Sequence, residues 1–117
     1  MRYSFEDLDV WRLSCRLTTR LYGVLKESRE YWLKEQLLRS ALSIPSNIAE
    51  GQARHTTGEF IQFISHAEGS LAELDTQLIL SIELRFCRDR AGDPAFELID
   101  ELRRMLYVLR RKLAARQ

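Results

Sequence analysis

The apolar residues of this chain recur in steps of three and four, and that spacing confines it to helices packed side by side. Leu33, Leu37, Ala41, Ile44 and Ile48 form one such seam. Phe60, Ile64, Ala67, Leu71, Leu74 and Leu78 form a second, and Ile99, Leu102, Leu106, Leu109 and Leu113 a third. A step averaging 3.5 residues returns each side chain to the same helix face, the pattern of bundle packing. No stretch alternates with the period of a strand for long. With 117 residues, 45% of them hydrophobic, the expectation is one domain with a real core. The longest run free of Asp, Glu, Lys and Arg is Ser40 to Ala49, too short to span a bilayer. No N-terminal apolar stretch reads as a signal peptide. Cys15 and Cys87 are the only cysteines, which is no disulfide framework and suits a reducing cytoplasm.

Capping chemistry divides the chain into four helical segments. The first is expected from about Ser4–Leu8 to Lys26. The second runs from about Glu30 to Gly51, with Ser28 as its cap and Glu30 in its first turn. The third opens at Thr56-Thr57-Gly58-Glu59, where a hydroxyl accepts from a free backbone N–H and Glu59 reaches back. It is expected to end near Arg90, with Gly92 just beyond. The fourth opens at Asp93-Pro94, a cap followed by a residue whose missing N–H costs nothing in a first turn. Short connections favour antiparallel neighbours. The expected fold is therefore all-α: a single domain, residues 1–117, folded as an antiparallel up-down-up-down four-helix bundle.

Two features exceed a monomeric bundle. On the first segment Leu8, Trp11, Cys15, Tyr22 and Leu25 make one stripe, and Val10, Leu13, Leu17, Leu21 and Val24 make another beside it. Together they cover roughly 220°, against the ~100° that one core face needs. Ile61, Ile79, Leu80 and Leu84 lie off the main seam of the third segment. That segment is also long, about 34 residues or about 50 Å, so it is expected to kink, with Gly69 the candidate, or to project. Both features point to a homo-oligomer.

Catalytic and metal signatures are missing. Glu-x-x-His, the ligand pair of carboxylate-bridged metal bundles, occurs before neither His55 nor His66. Cys15 sits on an apolar face and reads as a small buried hydrophobe. There is no Gly-rich phosphate loop and no G-x-S-x-G. The expectation is a protein without catalytic residues, cofactor or metal. The most distinctive stretch is Ser40 to Gly51, whose seam runs straight through Pro45. A proline inside a helix removes one backbone hydrogen bond and costs ~3 kcal/mol. Ser43, Ser46 and Asn47 are suited to bonding the freed carbonyls, which makes a repaired kink the leading reading and a polar pocket at Asn47 and Glu50 the competing one. In His66-Ala67-Glu68-Gly69-Ser70, the small residues allow another helix close, with His66 and Glu68 placed to pair across it.

The formal charge of +1 conceals a pattern. Residues 1–58 carry +2, residues 59–100 carry −6 and residues 101–117 carry +5. Arg12, Arg16 and Arg20 step by four along one face. Arg103 with Arg110, and Arg104 with Arg111, share directions on the fourth segment, beside Lys112. These are the candidate nucleic-acid contacts. Opposite signs on neighbouring helices suit pairing within or between subunits, which favours assembly over RNA binding.

Three blocks carry a family likeness: Phe5-x-x-Leu8-x-Val10-Trp11; Leu37-x-Arg39-Ser40-Ala41-x-Ser43-Ile44-Pro45-x-Asn47-Ile48-Ala49-Glu50-Gly51; and Ala67-x-Gly69-Ser70-Leu71-x-Glu73-Leu74. The chain resembles, over nearly its whole length, the four-helix-bundle proteins encoded in intervening sequences of bacterial 23S rRNA genes. The resemblance implies a homopentamer around a central channel, of largely undefined role. A related branch, the accessory protein of diversity-generating retroelements, binds a reverse transcriptase and RNA through a basic surface. The family supplies no catalytic residues, and the signature residues, Ser43, Ile44, Pro45, Asn47, Ile48, Ala49, Glu50 and Gly51 with Gly69, Ser70 and Glu73, are given structural roles first. The expected function is a non-enzymatic, cytoplasmic assembly or scaffold module, with RNA or ribonucleoprotein binding as the alternative and no membrane partner.

Overall fold

The computed structural model describes residue 5 and residues 8–87 and 94–117. Over these the chain forms α1 (Asp9–Leu25), α2 (Tyr31–Gln52), α3 (Thr57–Glu83) and α4 (Pro94–Ala114). Among the described residues there is no strand. Each helix packs on the next in chain order, and α4 closes back on α1, so the four form a bundle measuring 45 × 20 × 19 Å. The α2–α3 contact is the broadest of the four and the α1–α4 contact the thinnest.

The core is built from the seams. Leu33, Leu37, Ala41, Ile44 and Ile48 of α2 are buried, as are Ile64, Ala67, Leu71, Leu74 and Leu78 of α3. Ile99, Leu102, Leu106 and Leu113 of α4 complete it, with Phe60 and Leu109 packed at its edge. On α1 the two stripes separate. Val10, Leu13, Leu17 and Leu21 face the core with Leu25. Leu8 and Trp11 are half-buried against the core edge, Cys15 is half-buried, and Tyr22 is 57% exposed.

Helix ends follow local chemistry, with three corrections. Thr56 caps α3 as expected: its Oγ1 accepts from the Glu59 N–H at 3.1 Å. Glu59 reaches back to the Thr56 hydroxyl, accepting from it at 2.9 Å. On α2 the cap is Glu30, which therefore precedes the first turn; Ser28 instead accepts from the Glu30 N–H at 3.3 Å. The third helix ends at Glu83 and not near Arg90. Arg85 takes φ 63°, and two reversed bonds close the end: Arg85 N–H to the Ile82 carbonyl at 3.0 Å and Phe86 N–H to the Ser81 carbonyl at 2.8 Å. This is a Schellman end with an arginine where glycine is usual. Its 27 residues run unbroken through Gly69, about 40 Å at the standard rise. The expected kink and the 50 Å length both fall away. Ser4, Arg90, Gly92 and Asp93 lie outside the described residues. Pro94 does stand as the first residue of α4.

Pro45 is buried inside α2, and the helix continues through it. The carbonyl it leaves without an amide donor is that of Ala41, four residues earlier. Thr18 of α1 supplies a replacement, its Oγ1 lying 3.4 Å from Ala41 O. That hydroxyl has one proton, which it divides with Ser14 O at 3.0 Å. Ser46 donates to Leu42 O at 2.9 Å and Asn47 to Ser43 O at 2.8 Å. Of the expected polar residues, Ser46 and Asn47 thus support neighbouring carbonyls, Ser43 bonds Ser70 instead, and the vacated carbonyl is served from another helix. Among the described residues no helix is long and apolar enough to cross a membrane.

Candidate functional site

The distinctive α2 stretch and the Gly69-Ser70-x-x-Glu73 stretch of α3 meet in a line of hydrogen bonds. The Asn47 side-chain amide donates to Ser43 Oγ at 3.0 Å. Ser43 Oγ lies 2.7 Å from Ser70 Oγ. A hydroxyl has two acceptor lone pairs as well as its own proton, so Ser43 accepts from Asn47 and also shares a hydrogen bond with Ser70, and the three side chains form one line. One turn away, Ser40 Oγ stands 2.7 Å from Glu73 Oε1 and 2.9 Å from Gln77 Oε1. Ser40 is buried. The hydroxyl has a single proton, which the two acceptors, Glu73 Oε1 and Gln77 Oε1, divide between them. This seam ties the two most closely associated helices at a fixed register. Gln77 and Thr18 were not singled out in the sequence. The available signal was spacing: Gln77 stands one turn beyond Glu73, and Thr18 one turn beyond Ser14.

Packing completes the signature. A Cβ on Gly51 would meet Phe63 Cβ at 2.6 Å and Phe60 Cδ1 at 2.9 Å. The glycine lets the end of α2 lie directly on the start of α3. Ile44, Pro45 and Ile48 are buried, and Ala49 is half-buried. Gly69 behaves otherwise: it is exposed, and no atom comes within 4 Å of its added Cβ. The close approach expected there occurs at Ala67 and Ser70 and misses Gly69. Asn47 and Glu50 do not converge on a pocket. Asn47 is turned to Ser43, and Glu50 is exposed, 3.8 Å from Arg54. His66 is exposed with its ring 6.0 Å from that of Phe63, while Glu68 pairs with α4.

The candidate nucleic-acid residues fall into two groups. Arg110 Nε donates to Glu68 Oε1 at 2.6 Å. That hydrogen bond and the Glu68 charge hold the guanidinium above its ordinary pKa. Arg103 bridges Asp75 of α3 at 2.9 Å and Asp100 at 2.8 Å. The other Asp75 oxygen is buried with no partner, so Arg103 is what offsets that carboxylate's burial. These two arginines join α3 to α4. Arg12, Arg16 and Arg20 are exposed on α1, and Arg12 lies 3.4 Å from Asp9. Arg104, Arg111 and Lys112 are exposed on α4, with Arg111 donating to Tyr107 Oη at 3.1 Å.

Between the start of α1 and the C-terminal half of α4 lies an open cavity of about 330 Å³. Its floor is apolar, formed by Leu8, Val10, Met105, Val108 and Leu109. Asp9, Arg104 and Lys112 stand at its rim. Among the described residues no group of three or more His, Cys, Asp or Glu side chains converges to hold a metal ion. Burial pushes the Cys15 thiol up from its ordinary pKa, which lowers its thiolate fraction at neutral pH.

Residues 6–108 match the family model described as 23S rRNA-intervening sequence protein. No curated protein matches the chain.

Proposed function

The chain belongs to the family of 23S rRNA-intervening sequence proteins, and from that premise we propose that it is a non-enzymatic, cytoplasmic assembly module: an antiparallel bundle that works as a homo-oligomer. The order of the interhelical pairs supports the antiparallel arrangement. Along α2, Ser40 and Ser43 meet Glu73 and Ser70, in falling order on α3. Along α3, Glu68 and Asp75 meet Arg110 and Arg103, again in falling order. The side chains of the signature hold helices together, which supports a structural role for it. The absence of any long apolar helix among the described residues and a composition with two cysteines favour the cytoplasm.

The observation that carries the assembly reading is apolar surface left over after the core is full. Tyr31, Trp32, Tyr22, Leu42 and Leu84 are each more than half exposed, and Leu80, Tyr107 and Val108 nearly so. Large exposed apolar patches mark interaction surfaces on small proteins. The family likeness sets the expected number at five copies. Native mass spectrometry at micromolar concentration tests this: we expect a multiple of the 13.8 kDa subunit, with five the principal species. A clean monomer overturns the reading.

A second reading, binding of RNA or of a reverse-transcriptase-type ribonucleoprotein, is favoured by one observation. The exposed α1 arginines form a row, which oligomerisation would multiply. Arg16→Glu with Arg20→Glu is the decisive variant. On this reading the wild type binds RNA at low salt and the variant loses most of that affinity; no binding by the wild type dismisses it.

A further inference from the structure

We infer that the α1–α4 groove of one subunit receives the outer face of α3 from a second copy, in a head-to-tail contact. The inference rests on the assembly reading above and names the two surfaces that would meet. Along α4 the groove repeats a simple order. Arg104 comes first, then the apolar floor at Met105 and Val108, then Lys112. The described residues give this rim two cations and one acid, and that acid, Asp9, is drawn towards Arg12 at 3.4 Å. Among the described residues the rim carries an excess of positive charge around an apolar floor.

The outer face of α3 carries the opposite order. Glu73, Leu80, Glu83 and Leu84 lie within one exposed sector of that helix. Glu73 comes first, then exposed Leu80, then Glu83 with exposed Leu84 beside it. At 1.5 Å per residue, Arg104 and Lys112 are ~12 Å apart and Glu73 and Glu83 are ~15 Å apart. Flexible Lys and Arg stems cover that difference. Glu73 gives Oε1 to Ser40 and keeps its second oxygen for a partner. Cation–apolar–cation thus faces acid–apolar–acid at matching spacing. The pairing accounts for the unfilled cavity between α1 and α4, for exposed Leu80 and Leu84, and for part of the −6 and +5 split along the chain. Because the two surfaces differ, each subunit offers one to each neighbour, and such a contact closes into a ring when the rotation allows.

The experiment uses substitutions at exposed positions, so the fold is retained and circular dichroism checks it. Leu80→Asp with Leu84→Asp spoils the α3 face. Arg104→Glu with Val108→Asp spoils the groove. Each variant alone is expected to run as a single 13.8 kDa subunit in sedimentation velocity. Mixed one to one, they are expected to form a dimer, because each keeps the surface the other has lost. Helical variants that assemble like the wild type, or a mixture that stays monomeric, overturn this inference and leave the assembly reading standing. A monomeric wild type overturns the assembly reading itself, and this inference with it.

Discussion

Two glycines inside helices are expected to answer the same substitution with opposite signs. At Gly51 an added methyl meets Phe63 Cβ at 2.6 Å. A Cβ is tied to its backbone and cannot swing away, so α2 and α3 must separate there. Gly51→Ala is expected to cost about 1–3 kcal/mol, the usual penalty of overpacking. At Gly69 the added methyl meets nothing within 4 Å, and the helix gains about 1 kcal/mol from the better helix former. Urea unfolding at one fixed protein concentration checks both. A Gly51→Ala protein as stable as the wild type removes the close-packing argument. The sequence could not separate these positions. Each glycine lies in a helix among small residues, and spacing reports the face a residue occupies on its own helix, not the distance to the neighbour. The serines show the same limit. Polarity marked Ser43 and Asn47 as hydrogen-bonding groups, but the partners Ser70 and Gln77 are 27 and 37 residues from the serines they meet.

At the scale of the element, both ends of α1 and α2 and the starts of α3 and α4 fell close to where the sequence placed them. The end of α3 did not, and the reason is specific. Glycine is the usual left-handed residue after a helix, and the next glycine in the sequence is Gly92. The chain turns instead at Arg85, with φ 63°. Phe86, the next residue, sets its ring 6.5 Å from that of Trp32. The aromatic contact and the two reversed backbone bonds offset the strain of a Cβ in the left-handed region, which is about 1–2 kcal/mol. Arg85→Gly removes that strain and keeps both backbone bonds. We expect it to raise the unfolding free energy by about 1 kcal/mol, read as a higher urea midpoint at unchanged slope. A lower midpoint shows that the arginine side chain, and not the turn, is what the position requires. Pro45 makes a related point about elements. Its presence in the seam predicted a repair, and the seam predicted that the helix would continue. The donor that serves Ala41 O comes from α1, a neighbour that the local pattern could not name.

For the whole molecule, the segmental charge was the most informative reading, and the structure gives it a partly internal use. Acidic α3 and basic α4 lie side by side, joined by Glu68–Arg110 and Asp75–Arg103. Two of the eight candidate nucleic-acid residues are therefore spent within the bundle, and charge reversal there acts on the fold as well. Arg103→Glu with Arg110→Glu would set like charges against Asp75, Asp100 and Glu68 while leaving the buried Asp75 oxygen without compensation. Partly exposed like charges at such distances repel by about 1 kcal/mol or more per pair, and a carboxylate left unpaired on burial adds to it. The double variant is expected to lose about 2–4 kcal/mol of stability, so a fall in RNA binding there would report damage to the bundle. Arg16→Glu with Arg20→Glu alters exposed positions and is expected to stay within about 0.5 kcal/mol of the wild type. Urea unfolding of the two double variants side by side tests this division. Equal stability would show that the α3–α4 ion pairs contribute nothing measurable and would return Arg103 and Arg110 to the pool of side chains free to meet a partner.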